Sequence, residues 1–123
     1  MPDALSVLVV DDDPTMATLM AELVVIAGGA VWAVVGSGEA AIEALAAPAA
    51  DRPDLVLLDV NLPGIDGIET AARIDRLDRP VRVVLTSTTA ASDLPADVFD
   101  GGVSGFVPKS ELSPDSVGEL LAG

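Results

Sequence analysis

Five short runs of β-branched and aliphatic residues recur along the chain: Ser6–Val10, Val31–Val35, Leu55–Asp59, Val81–Thr86 and Gly105–Val107. Stretches with helical periodicity separate them. Pro14–Ala27 places Met16, Leu19, Met20, Leu23 and Ile26 on one face, and Gly28-Gly29 stops it. Glu39–Ala47 follows Ser37-Gly38 as a cap, and Gly67–Leu77 follows a Pro63-Gly64 turn. A short helix is expected over Pro95–Asp100, and Pro114–Leu121 follows Ser113 as N-cap, with proline at the first helical position. The order is β-α repeated five times. Parallel strands require crossover connections, which are right-handed, so this alternation predicts an α/β fold with one parallel sheet and helices on both faces. The nearly continuous apolar strands suit a sheet buried on both sides.

The chain has 123 residues, the size of one ordinary domain, and no internal repeat or linker divides it; residues 1–123 are expected to form a single domain. No apolar run approaches the roughly 18 to 20 residues that span a bilayer, and Met1-Pro2-Asp3 lacks the basic flank of a signal peptide, so a cytoplasmic protein without membrane contact is expected. There is no cysteine and no histidine. Disulfides, thiolate metal sites and an internal imidazole base are therefore excluded. Twenty acids against six bases give a net charge of −14, which opposes binding of this chain to nucleic acid.

In a doubly wound sheet, ligands sit beyond the carboxyl ends of the strands, where strand order reverses. The first run ends in Asp11-Asp12-Asp13-Pro14, the third in Leu57-Leu58-Asp59-Val60-Asn61, the fourth in Leu85-Thr86-Ser87, and the fifth leads to Lys109, the only lysine. Asp13 before a proline reads as a helix N-cap. Asp11, Asp12 and Asp59 are harder to place, because like charges at the ends of buried strands repel unless a cation compensates. A hard divalent ion such as Mg2+ fits this donor set, and zinc does not. Taken singly, a lysine after a strand is commonly a solvated side chain and a threonine at a strand end only a good β-former.

Four segments in this order, Val7–Pro14, Pro53–Gly67 (PDLVLLDVNLPGIDG), Val83–Ser87 and Gly105–Lys109 (GFVPK), resemble the receiver domain of two-component response regulators, the CheY-like family. The resemblance extends over essentially the whole chain. It implies a flavodoxin-like (βα)5 doubly wound parallel five-stranded sheet of order 2-1-3-4-5. It also implies that Asp59 accepts a phosphoryl group from a phosphohistidine on a sensor histidine kinase or a histidine phosphotransfer protein. Mg2+ would be held by Asp12 and Asp59 directly, by the backbone carbonyl of Asn61, and by Asp11 through a water. Lys109 and Thr86 would contact the phosphoryl oxygens, Ser87 would leave room for them, and Phe106 would be the aromatic switch residue, although a core phenylalanine is nearly as good a reading of that position.

Two features depart from the family pattern. Many members have Lys-Pro joined by a cis bond at the end of the fifth strand, whereas this chain has Pro108-Lys109-Ser110, where a cis bond would cost about 3 kcal/mol. Nothing follows Gly123, which fits a single-domain regulator or a receiver separated from a downstream output domain, and the pattern around Lys109 is similar to receivers joined to helix-turn-helix outputs. Three function classes follow: a phosphorylatable switch, a pseudo-receiver that binds partners without phosphate, and a Mg2+-dependent phosphatase-like enzyme. The complete residue set disfavours the second. Asparagine at 61, where aspartate-based phosphatases carry a second carboxylate, disfavours the third.

Overall fold

In the computed structural model, residues 4–47, 52–77, 81–88 and 102–122 are described. Strands β1 (Ser6–Val10), β2 (Ala30–Val35), β3 (Leu55–Asp59), β4 (Arg82–Ser87) and β5 (Val103–Pro108) form one sheet of order β2-β1-β3-β4-β5, and every neighbouring pair is parallel. Helices α1 (Pro14–Ile26), α2 (Gly38–Ala46), α3 (Gly67–Asp75) and α4 (Pro114–Ala122) complete the described elements. The expected helix over Pro95–Asp100 lies outside the described residues.

Strand alternation divides the interior into two cores. Val7 and Val9 of β1, Leu55 and Leu57 of β3 and Val84 of β4 pack with Met20, Leu23 and Val24 of α1 and Val117 of α4. Their neighbours Leu8, Val10, Val56, Leu58, Val83 and Leu85 point to the other face, against Leu45 of α2 and Ile74 of α3. Both faces of the central strands are thus covered, which is why β1 and β3 carry almost no polar residue before their last positions. No described helix is long and apolar enough to cross a membrane.

Helix ends follow from local chemistry. Asp13 caps α1 by accepting the Thr15 N–H at 3.0 Å, Ser37 caps α2 through Ala40 at 3.1 Å, and Ser113 accepts the Ser116 N–H at 3.0 Å. Asp66 caps α3 through Glu69 at 2.8 Å, a role the sequence reading did not assign. Gly28, at φ 96°, ends α1: its N–H reaches Val25 O, and Gly29 N–H reaches Val24 O, the paired bonds of a Schellman stop. Helix α3 stops two residues short of the expected Leu77 because Arg76 and Leu77 donate to the carbonyls three residues back, a tighter closing turn.

Two further expectations are corrected. Strand β5 runs two residues earlier and one later than Gly105–Val107, since Val103 pairs with Val83 and Pro108 with Ser87. The Lys109–Ser110 bond, left open by the sequence, is trans, and Lys109–Glu111 forms a 3-10 turn. The buried side of α1 is Ala17, Met20, Leu23 and Val24, while Leu19 is exposed and Ile26 is 64% exposed. An apolar helix offers more than one candidate stripe, and the sheet decides which is covered. Met20→Ala should therefore cost about 2–5 kcal/mol, and Ile26→Ala about 0.5 kcal/mol or less. Urea denaturation of both variants checks this, and equal losses would contradict the packing.

Candidate functional site

Strand β1 lies between β2 and β3, so the chain leaves it toward one edge of the sheet and later returns on its other side. The gap above β1 and β3 is the point where strand order reverses. Asp11 follows the last residue of β1 and Asp59 is the last residue of β3; they are 3% and 2% exposed. Asp12, beside them, is exposed. Carboxylate oxygens of Asp11, Asp12 and Asp59 all lie within 4.8 Å of one another.

Each buried carboxylate has one oxygen fixed by the backbone. Asp11 Oδ1 accepts the Asp13 N–H at 2.9 Å, and Asp59 Oδ1 accepts the Asn61 N–H at 3.1 Å. The other oxygens face Lys109 from the end of β5, whose Nζ stands 2.8 Å from Asp11 Oδ2 and 3.2 Å from Asp59 Oδ2. Lys109 is largely enclosed. Burial alone would lower its pKa, but hydrogen bonding and attraction from Asp11 and Asp59 outweigh this and hold it above the ordinary lysine range. Asp59 is pushed above the usual carboxylate range, chiefly by desolvation and further by the Asp11 charge, against the Asn61 hydrogen bond and the Lys109 charge.

Thr86 pairs in register with Asp59 across β3 and β4 and is fully buried, yet its Oγ1 has no hydrogen-bond partner among the described residues. Ser87, also buried, accepts a hydrogen bond from Asn61 Nδ2 at 3.3 Å, which links the loop after β3 to the end of β4. Phe106 is half-buried and packs against the core shared with α2 and α3. Every candidate residue named from the sequence except Phe106 thus has a charged or polar group at this end of the sheet.

One residue was missed. A Cβ on Gly67 would lie 2.2 Å from the carbonyl oxygen of Asp59 and 2.7 Å from Val60 Cα, so no side chain fits where α3 begins. Its N–H donates to Val60 O at 2.8 Å. The spacing of Asp66 as cap and Gly67 as first helical residue was the available signal; the close approach to Asp59 was not.

A sequence profile of the response regulator receiver domain matches residues 7–120. The chain belongs to this receiver family. It is 40% identical over 117 residues to the DNA-binding response regulator MtrA of Mycolicibacterium smegmatis, a match covering 94% of this chain and 49% of MtrA. The receiver therefore spans about half the length of that relative. Its fold matches the signal receiver domain of the response regulator NarL from Mycobacterium tuberculosis with a TM-score of 0.86, at 26% identity, over 98% of this chain and 95% of that one. It also matches the CheX–CheY complex with BeF3 and Mg2+ from Borrelia burgdorferi, with a TM-score of 0.81 at 26% identity, over 94% and 84% of the two chains. The flavodoxin-like arrangement and the strand order 2-1-3-4-5 implied by the resemblance are those of this receiver.

The raised pKa of Asp59 has a consequence for stability. In the unfolded chain the carboxyl ionises at lower pH than in the fold, so its contribution is present in acid and is lost as pH rises through the folded value. In metal-free receiver at neutral pH, Asp59→Asn should therefore raise the melting temperature. The gain should shrink to nothing as pH falls below the Asp59 range. Calorimetry across pH checks the sign. Gly67→Ala should cost about 1–3 kcal/mol by forcing α3 away from the Asp59 carbonyl, a loss measurable in the same experiment.

Proposed function

We propose that this receiver is a phosphorylatable switch in which Asp59 accepts a phosphoryl group from a phosphohistidine on a sensor histidine kinase or histidine phosphotransfer protein. A carboxylate oxygen of Asp59 forms the new O–P bond as the N–P bond of the donor breaks, leaving a free imidazole on the partner and an acyl phosphate on the receiver. The observation that carries this reading is Thr86 Oγ1, a fully enclosed hydroxyl with no partner, in register with Asp59. An unmade buried hydrogen bond is unfavourable, and a phosphoryl oxygen on Asp59 supplies the missing acceptor.

The remaining residues suit phosphoryl transfer, which depends on positioning and on charge stabilisation more than on covalent chemistry. Lys109 is already held at the end of β5 with its ammonium against Asp59, so a short shift aims it at a phosphoryl oxygen. The Asn61 N–H orients the acceptor carboxylate. The Asn61–Ser87 hydrogen bond ties together the two loops beside it. Asp11, Asp12 and Asp59 fit a hard cation: three converging carboxylate oxygens and no nitrogen or sulfur donor. When bound, Mg2+ neutralises charge on the oxygens of the transferring group.

The donor's imidazole has to come from outside the chain, because the chain has no histidine. Helix α1 starts directly after Asp11, Asp12 and Asp13, and along its length Leu19, Val25 and Ile26 are exposed apolar residues. This surface suits a partner that docks through apolar contacts while presenting its phosphohistidine to Asp59. A pseudo-receiver that acts without phosphate is the alternative, and it leaves the unpartnered Thr86 hydroxyl without a role.

Incubation with acetyl phosphate and Mg2+ should add one labile phosphate, seen by intact mass, and Asp59→Asn should add none. Phosphate retained in that variant would refute the assignment, and none in the parent would favour the pseudo-receiver. Mg2+ at a hundred times its Kd should stabilise the parent by about 2.7 kcal/mol. Asp12→Ala should lose most of that gain; an equal gain in the variant would remove Asp12 from the ligand set.

A further inference from the structure

The opposite end of the sheet carries a cluster of the other sign. Arg52, shortly before β3, and Arg76, which closes α3, line a cavity of about 210 Å3 with Leu45 and Ala46 of α2 and Leu77. The length of β3 separates this cavity from Asp59 by roughly 20 Å. The other described bases are engaged: Arg73 pairs with Glu69, Arg82 donates to the Leu120 carbonyl, and Lys109 bridges the acids. Arg52 and Arg76 form no ion pair among the described residues, and Arg52 Nε is enclosed without a hydrogen-bond partner.

Arginine near a helix C-terminus is ordinarily explained by the negative end of the helix dipole, and α2 and α3 both end here. That explanation is incomplete. Neither guanidinium hydrogen-bonds a terminal carbonyl among the described residues, and the two cations line one small cavity, one of them with a buried N–H donor left unsatisfied. We infer that this cavity is an anion site that takes one oxyanionic group, a carboxylate or phosphate, between Arg52 and Arg76. Guanidinium donors in a planar fork match both groups. Pockets for whole small molecules usually exceed about 300 Å3, so this one suits a head group, with Leu45, Ala46 and Leu77 as its apolar wall. The net charge of −14 disfavours anions at long range, but at physiological ionic strength that field is screened beyond about 8 Å, and both charged residues lining the cavity are positive. The inference is independent of Asp59 and of Mg2+.

The test follows the Nε–Hε nuclear magnetic resonance signals of Arg52 and Arg76 in the intact, metal-free chain at constant ionic strength. Inorganic phosphate, acetate and a Glu-Glu dipeptide are titrated against a chloride control. A saturable shift of both signals is expected, with an apparent affinity about tenfold weaker in Arg76→Gln, since one charged donor is lost. Saturation by phosphate or acetate assigns a free anion as the source. Saturation by the dipeptide alone assigns an acidic side chain of a partner, and supports the same site chemistry. Arg76 is exposed, so its variant is expected to fold, and Arg52→Met should abolish the shift at Arg76. Linear shifts equal to those in chloride, or an affinity unchanged in Arg76→Gln, would overturn the inference.

Discussion

The ammonium of Lys109 stands between two carboxylates that could not otherwise be buried side by side. Asp11 and Asp59 come from neighbouring strands, are almost completely enclosed, and repel one another. Backbone N–H groups fix one oxygen of each, and Lys109 answers the other two. The lysine comes from β5, two strands from β3 and far along the chain, so the charge balance of the site exists only when the whole sheet is assembled. Removing Lys109 would leave two buried carboxylates without their shared cation, which costs more than the ion pairs contribute as a unit.

This balance is incomplete in a useful way. Asp59 remains above the ordinary carboxylate range because desolvation outweighs the help it receives, and Thr86 beside it keeps an unpaired hydroxyl. Both features cost stability in the unmodified protein. In the proposed function both would be relieved by groups arriving from outside, a cation for the carboxylates and an acceptor for the hydroxyl. Natural sequences commonly violate packing and pairing rules at functional sites, where the strain has a use.

Much of this could be read from the chain. Short runs of β-branched and aliphatic residues located all five strands, because a sheet covered on both faces carries apolar side chains at successive positions. Caps at Asp13, Ser37 and Ser113 were recognisable because a short polar side chain before an apolar helix has one common use. Errors arose where neighbours decide. The buried stripe of α1 was misassigned in part, since Leu19 and Ile26 are as apolar as the residues the sheet covers. The register of β2 on β1 skips Trp32, a bulge that no local pattern announces. Gly67 reads from the sequence only as the start of a helix, whereas the Asp59 carbonyl lies where its Cβ would be.

The sequence by itself determined the alternation of strands and helices, the acids and the lysine placed at strand ends, and the absence of any internal histidine, because these depend on residue type and on spacing along the chain. Tertiary structure decided which carboxylates are buried, that Lys109 meets Asp11 and Asp59 at once, that Thr86 is left without a partner, and that Arg52 and Arg76 share a cavity at the far end. These are relations between residues distant in the chain. Their energies depend on separation in space and on exclusion of water, and both quantities come into being only when the sheet closes around its two cores.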